Sequence, residues 1–289
     1  MESIGGQAVI EGVMIRNKDT IATAVRKKTG RIKVHKYKVD SLTKKHKFLG
    51  MPVVRGIIML FETMVIGMKS LNFSANESSG ISRQEKISDW QMFLAIAFSV
   101  VFALIVFKLV PLGIVQLISQ FVSLGLFGFN IIEGLLKLSI LTGYIYAISF
   151  MPDIKRIFMY HGAEHKVVNC YEKEGRVTVK AAEKYSTIHK RCGTNFVTLV
   201  LVISILVYLV IPLSLGFLEK YALRIALLPL VAGISYEVLK VNAKYPKLKI
   251  FEIFIYPGLL LQRITTKEPN RRQLEVALRA LKESLKEKK

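Results

Sequence analysis

Residues 160–170 read YHGAEHKVVNC, with His161 and His165 four positions apart and Glu164 beside the second histidine. On a helix, positions i and i+4 share a face one turn apart, the spacing at which two imidazoles reach one metal ion. Glu164 follows His161 by three residues and falls on the same edge. His-x-x-Glu-His is the inverted zincin pattern, in which the histidines hold zinc and the glutamate acts on a water at the metal. A third protein ligand is needed, and His189 and Cys192 in IHKRCGTNF offer one. Three ligands leave an open position for water and catalysis; four close the site and make it structural. The sequence leaves that choice open. A plainer reading competes with both. Histidines near a helix C-terminus favour the dipole, Cys170 and Cys192 pack as small apolar side chains, and Gly162 is a poor helix former.

The elements that must position these residues begin with apolar runs. The chain has 289 residues, 52% of them hydrophobic, and a formal charge of +21. Such runs are foreign to soluble basic proteins and indicate a membrane protein with basic ends. Met92–Val110 and Phe196–Phe217 approach or exceed the roughly 20 apolar residues of a spanning helix. Ile131–Phe150 and Ala222–Leu239 complete four expected spans. Glu133 and Lys137, one turn apart in the second, are expected to snorkel to the surface, which leaves a transporter as a weak option. Leu112–Phe129 reads as a non-spanning apolar connector. No cleavable leader is expected from MESIGGQAVIEG, which has neither a basic start nor an apolar core.

Residues 1–91, 151–195 and 237–289 carry 38 of the 42 lysines and arginines. The positive-inside rule then puts both termini and the middle segment in the cytosol of a multi-pass cell-membrane protein. Free thiols are expected there rather than a disulfide.

The predicted architecture is an α-helical polytopic membrane protein of about four transmembrane helices, with a small N-terminal antiparallel β-sheet and cytosolic or interfacial helices. Its parts are a β-meander at 1–50, an amphipathic interfacial helix and linker at 51–91, and a transmembrane hairpin at 92–150. A His/Cys-containing cytosolic loop follows at 151–195, then a second hairpin at 196–239, and an interfacial segment with a basic C-terminal helix at 240–289. Three strand-like runs are read at 7–16, 20–27 and 31–39. A helix is read from Val53 to Phe73, with Arg55, Glu62 and Lys69 on one stripe, lying in the interface or packing on the spans. Asp153 is read as the N-cap of the histidine-bearing helix, with Gly175 beyond its end. Thr194 and Asn195 with Gly193 are read as the cap of the third span. Turns and a bulge are the favoured reading of Gly5-Gly6 and Glu11-Gly12. The interfacial segment is read from Leu248 to Leu261, interrupted by Pro257-Gly258. The tail places Leu274, Leu278, Leu281 and Leu285 on one helical face.

The chain resembles the YqhQ-like family of prokaryotic membrane proteins, a family of unknown function labelled metal-dependent enzymes. GGQAVIEGVMIR at 5–16, VVRGIIMLFETMVIGMKSL at 53–71, YHGAEHKVVNCYE at 160–172, RCGTNF at 191–196 and YPGLLLQRITTKEPNRRQLEVALRAL at 256–281 carry the likeness, almost end to end. The resemblance implies that the residues with ligand chemistry belong to the family's own motifs. It departs at Lys190, where the family reads proline, which loosens the loop without removing His189 or Cys192.

The leading expectation is a metal-binding membrane protein, a zinc-dependent hydrolase at the cytosolic membrane surface. Its ligands are His161, His165 and either His189 or Cys192, and Glu164 is the general base. The alternative is a factor without chemistry that docks a ribosome or the protein-insertion machinery. Its basic face, including Arg263, Lys267, Arg271, Arg272 and Lys282, also suits the anionic lipids of the bilayer.

Overall fold

A computed structural model describes residues 4–79, 88–245 and 250–286. The linker at 80–87 and the start of the expected interfacial segment at Leu248 lie outside the described residues. Four strands, β1 (Ile4–Val9), β2 (Gly12–Asn17), β3 (Thr20–Arg26) and β4 (Ile32–Lys38), form an antiparallel meander in sequence order. The expected first strand splits in two because Ile10 and Glu11 make a two-residue turn, with Glu11 at φ 54. The tight turn expected at Glu11-Gly12 is present, but it divides two strands, and its left-handed position falls on Glu11 rather than on a glycine. Val13 pairs with Ala24 and Ile15 with Ala22.

Both faces of this sheet are covered. Helix α1 (Val54–Ser79) packs Ile66 against Val9, Met14, Ile21 and Val25. On the other face, Ile4, Val13, Ile15 and Ala24 meet the histidine-bearing helix and the C-terminal helix through Ala163, Val167, Ala277 and Leu281. A strand buried on both sides reads as a continuous apolar run, which explains the imperfect alternation of TIATAV.

Among the described residues three helices are long and apolar enough to cross a membrane, and four if a bent pair counts as one span. The first span runs Phe93–Phe121. It comprises α2 (Asp89–Leu104), a π turn at Ile105–Leu109 and α3 (Val110–Phe121). A four-residue turn leads to α4 (Leu126–Ile148). The apolar connector read at 112–129 is therefore the far end of the first span and the beginning of the second, and it adds no fifth crossing. The third span starts at Gly193, with α6 (Gly193–Val207). The fourth is α7 (Phe217–Ala226) and α8 (Leu228–Lys244), bent by 43°.

Between the second and third spans lies α5 (Pro152–Glu174), which is N-capped by Met151 rather than Asp153 and ended by Gly175 at φ 70. Helix α9 (Ile250–Thr265) lies along α6, where Gly258 sits so close that a Cβ would be 2.4 Å from Asn195 Oδ1. Helix α10 (Arg271–Leu285) closes the core with Leu274, Leu278 and Leu281.

Glu133 and Lys137 do not snorkel. Both are 1% exposed, and they share a carboxylate contact with Arg224 of α7. The expectation failed because their partner is 91 positions away from Glu133 in the chain.

Candidate metal centre

Helix α5 brings His161 and His165 to one face, with ring centroids 4.4 Å apart. Each imidazole is held by a backbone carbonyl. His161 Nδ1 donates to Thr265 O at 2.9 Å, at the end of α9, and His165 Nδ1 donates to Thr187 O at 2.5 Å. A carbonyl only accepts, so Nδ1 carries the proton in both rings and Nε2 presents a lone pair. This is the outer-shell arrangement that orients metal-ligating histidines.

The two Nε2 atoms face Cys192. Its Sγ lies 3.2 Å from His161 Nε2, and the ligand atoms of His161, His165 and Cys192 all lie within 4.8 Å of one another. Cys192 is the N-cap of α6, where Sγ also accepts from the Thr194 N–H at 3.4 Å. A helix N-terminus favours a thiolate there. The cap read at Thr194 and Asn195 is thus supplied two residues before Thr194, by the cysteine itself.

The test of fit is His165 Nε2, which is buried and has no hydrogen-bond partner among the described residues. A buried acceptor left bare costs free energy unless something electropositive meets it. A metal ion shared with His161 and Cys192 does so, and a His₂Cys donor set suits zinc.

Burial sets the charge state of the cluster. It drives His165 down to about 2, helped by neighbouring His161, so that ring is neutral. Burial pushes the Cys192 thiol up to about 11 and raises the Glu164 carboxyl. Glu164 lies with Oε2 3.4 Å from His165 Nε2, and its other oxygen presses on the backbone of Gly6 in β1. A Cβ at Gly6 would be 2.4 Å from Glu164 Oε1, so the glycine is a close-approach residue as well as part of a strand.

His189 lies outside the triplet. Its Nε2 is 3.4 Å from Glu172 Oε2, while its backbone is gripped by buried Gln262. Gln262 also donates to Asn195 Oδ1 at 2.8 Å, and Asn195 donates to Lys190 O at 2.7 Å. These two amides fix the loop that delivers Cys192, and the sequence reading missed them. Their signal was a polar residue, Gln262, at the end of an otherwise apolar helix. On the facing side, Lys166 and Asn169 of α5 donate to Glu183 O and Ser186 O, holding the loop that carries Thr187.

Of the basic residues singled out for nucleic acid or lipid, Arg263, Arg271, Arg272 and Lys282 are exposed. Arg271 pairs with Glu183 at 3.0 Å. Lys267 is half-buried, and its backbone N–H donates to Phe158 O at 2.9 Å, so it staples the approach to α10 onto α5. Glu11, at the turn between β1 and β2, pairs with Arg156 and accepts from Tyr160.

No solved structure matches the chain. It is 39% identical over 293 residues to the uncharacterized protein YqhQ of Bacillus subtilis (strain 168), covering 97% of this chain and 92% of that relative. The family described as a protein of unknown function, DUF1385, matches residues 51–287, which include every member of the His/Cys triplet. The chain therefore belongs to the DUF1385 family.

Proposed function

We propose that this chain is a zinc-binding integral membrane protein, with His161, His165 and Cys192 as ligands and Glu164 as the general base of a hydrolytic reaction at the cytosolic membrane surface. The observation that carries the reading is the bare, buried Nε2 of His165 beside a second imidazole of fixed tautomer and a thiol. Three ligands would leave a position for water, and the Glu164 carboxyl lies 3.4 Å from His165 Nε2. Zinc, when bound, would supply Lewis acidity and the positive charge that ionises Glu164. Glu164 would then accept a proton at Oε2, held in place by the wall that Gly6 provides.

A cavity of about 570 Å³ supports a substrate with an apolar part. Gly6, Met59, Ile66, Phe196 and Leu239 line it, and Arg191 and Gly193, which flank Cys192, form its edge. It lies between the sheet, α1 and the start of α6, beside the metal centre and next to the spans. The concentration of positive charge in the segments outside the spans supports the cytosolic side.

The test is metal content. Protein purified in detergent with a tag that does not bind metal should hold about one zinc per chain, as a three-ligand site requires. The His161→Ala, His165→Ala double variant should hold none. No metal in the unmodified chain, even after zinc is offered, sinks the reading. The exposed Arg272 and Lys282 on α10 favour a second reading, docking to a ribosome or anionic membrane. Its mark is salt-sensitive ribosome co-sedimentation that their charge reversal abolishes and His161→Ala leaves intact.

A further inference from the structure

Four of the 42 lysines and arginines lie outside the three basic segments: Lys108, Lys137, Lys220 and Arg224. All four are buried, and all four converge. They arrive from the π turn of the first span, from α4 and from α7. Arg224 clasps Glu133 through Nε at 3.0 Å and Nη2 at 2.7 Å, and Nη2 also reaches Asn130 Oδ1 at 3.3 Å. Lys137 Nζ contacts the same carboxylate at 2.5 Å. Lys108 donates to the Tyr208 hydroxyl at 2.9 Å, and that hydroxyl donates to Arg224 O at 3.1 Å. Lys220 donates to Gln116 Oε1 at 3.0 Å. The Tyr208 ring faces Lys108, Lys137 and Arg224 at 5.1, 4.9 and 5.2 Å, and the Phe129 ring faces Lys220 and Arg224 at 5.4 and 5.7 Å.

Among the described residues, one carboxylate therefore serves four cations. Of the two other acidic residues of these hairpins, Glu219 is exposed and caps its own helix through Gly216 N, and Glu237 is paired with Arg55 of α1. Ring faces soften a cation's loss of water but do not replace an anion. A buried ion without a counter-charge is strongly disfavoured in a protein interior, and no less between membrane spans. Donors are also in surplus. Arg224 is 2% exposed, yet its Nη1 has no hydrogen-bond partner among the described residues. Each ammonium group has three donors, and each is seen to use one on an oxygen. Lys108 moreover sits on a π turn, a distortion that costs regular hydrogen bonding and is concentrated at functional sites.

We propose that this cluster is a binding site for an oxyanion, a phosphate or carboxylate group that accepts from Arg224 Nη1 and draws its remaining counter-charge from Lys108, Lys137 and Lys220. Glu133 is the fixed carboxylate that orients Arg224 toward it. The site is separate from the metal centre. Tyr208 stands sixteen residues along the third span from Cys192, a rise of about 24 Å, which places the cluster toward the opposite ends of the spans. The oxyanion belongs either to a lipid headgroup or to a free ion in the water beyond those ends.

The full chain tests this in two arms. In one arm, lipid that survives exhaustive washing in neutral detergent is extracted and identified by mass spectrometry. In the other, delipidated protein is titrated with inorganic phosphate against chloride at matched ionic strength while thermal unfolding is followed. Retained anionic lipid identifies a headgroup, and a saturable rise in unfolding temperature with phosphate identifies a free ion. Either effect should fall by about tenfold or more in Lys220→Met, the loss of one charge-assisted hydrogen bond, and should persist in Lys282→Met. No retained anionic lipid together with no phosphate effect in the unmodified chain overturns the proposal. So does an effect that Lys282→Met abolishes and Lys220→Met leaves untouched. If Lys220→Met does not fold, Lys108→Met takes its place.

Discussion

Gly6 in the first strand and Glu164 in the fifth major helix touch so closely that any side chain at position 6 would have to move the carboxyl, since a Cβ there lies 2.4 Å from Oε1. The sheet is thereby the back wall of the His/Cys cluster, although none of the clustered residues belongs to it. Gly6→Ala should destabilise the protein by about 1–3 kcal/mol, the usual cost of overpacking a filled site. Combined with Glu164→Ala, which empties the space, most of that cost should disappear. Unfolding of the two single variants and the double variant measures the coupling. Strict additivity would show that the contact carries no energy.

The third ligand is decided by the loop before the third span. Cys192 caps that span and points at His161, while His189 turns to Glu172. Cobalt in place of zinc makes the difference visible, because a thiolate ligand adds a sulfur-to-metal charge-transfer band. That band should be present in the unmodified protein, absent from Cys192→Ser and retained in His189→Ala. Its survival in Cys192→Ser would remove the cysteine from the site. Gln262→Ala, which frees the His189 backbone, should weaken metal affinity about 10–100-fold, as loss of a supporting residue does.

Metal affinity should rise with pH, and the sign follows from burial. His165, driven down to about 2, is already neutral near neutrality and releases no proton on binding. The Cys192 thiol, pushed up to about 11, must lose one. Each proton displaced raises affinity about tenfold per pH unit while the free group stays protonated. The raised Glu164 carboxyl adds a second proton if it ionises as the metal arrives. A plot of log affinity against pH over about 6–8, from competition with a chromogenic chelator, should have a slope of roughly one to two. A flat line would mean that the thiol does not ligate.

His161 and His165 were legible because one helical turn separates them, and a helical turn is a local property. Cys192 could not be preferred over His189, because the choice is made by Gln262, 73 positions from His189, which pins the loop backbone. Glu133 and Lys137 were visible as a pair but misjudged, since the group that buries them, Arg224, belongs to another span. The sheet was recognised by its β-branched content and turn residues. The turn at Glu11-Gly12 was read, but not that it divides the first run into two strands, because Glu11 adopts a conformation that usually announces itself as glycine or asparagine. Local periodicity reached the elements, and long-range packing decided which side chains meet.

Gly162 separates two opposed effects. Placing alanine inside a helix gains about 1 kcal/mol over glycine by propensity, and Gly143, with nothing within 4 Å of its would-be Cβ, should show that gain. At Gly162 the added Cβ would lie 2.0 Å from Lys267 O and 3.3 Å from Thr187 Cγ2. The first of these is backbone, tied to α5 by the bond from Lys267 N to Phe158 O, and cannot swing aside. The overpacking cost of about 1–3 kcal/mol should therefore match or exceed the gain. The strand that must give way also carries Thr265 O, which fixes His161, and Thr187 O fixes His165. Gly162→Ala should consequently lose metal affinity by about 10–100-fold even where the fold survives, whereas Gly143→Ala should be at least as stable as the parent with unchanged affinity. Equal behaviour of the two variants in unfolding and metal titration would break the link between the α5 glycine and the carbonyls that aim the histidines.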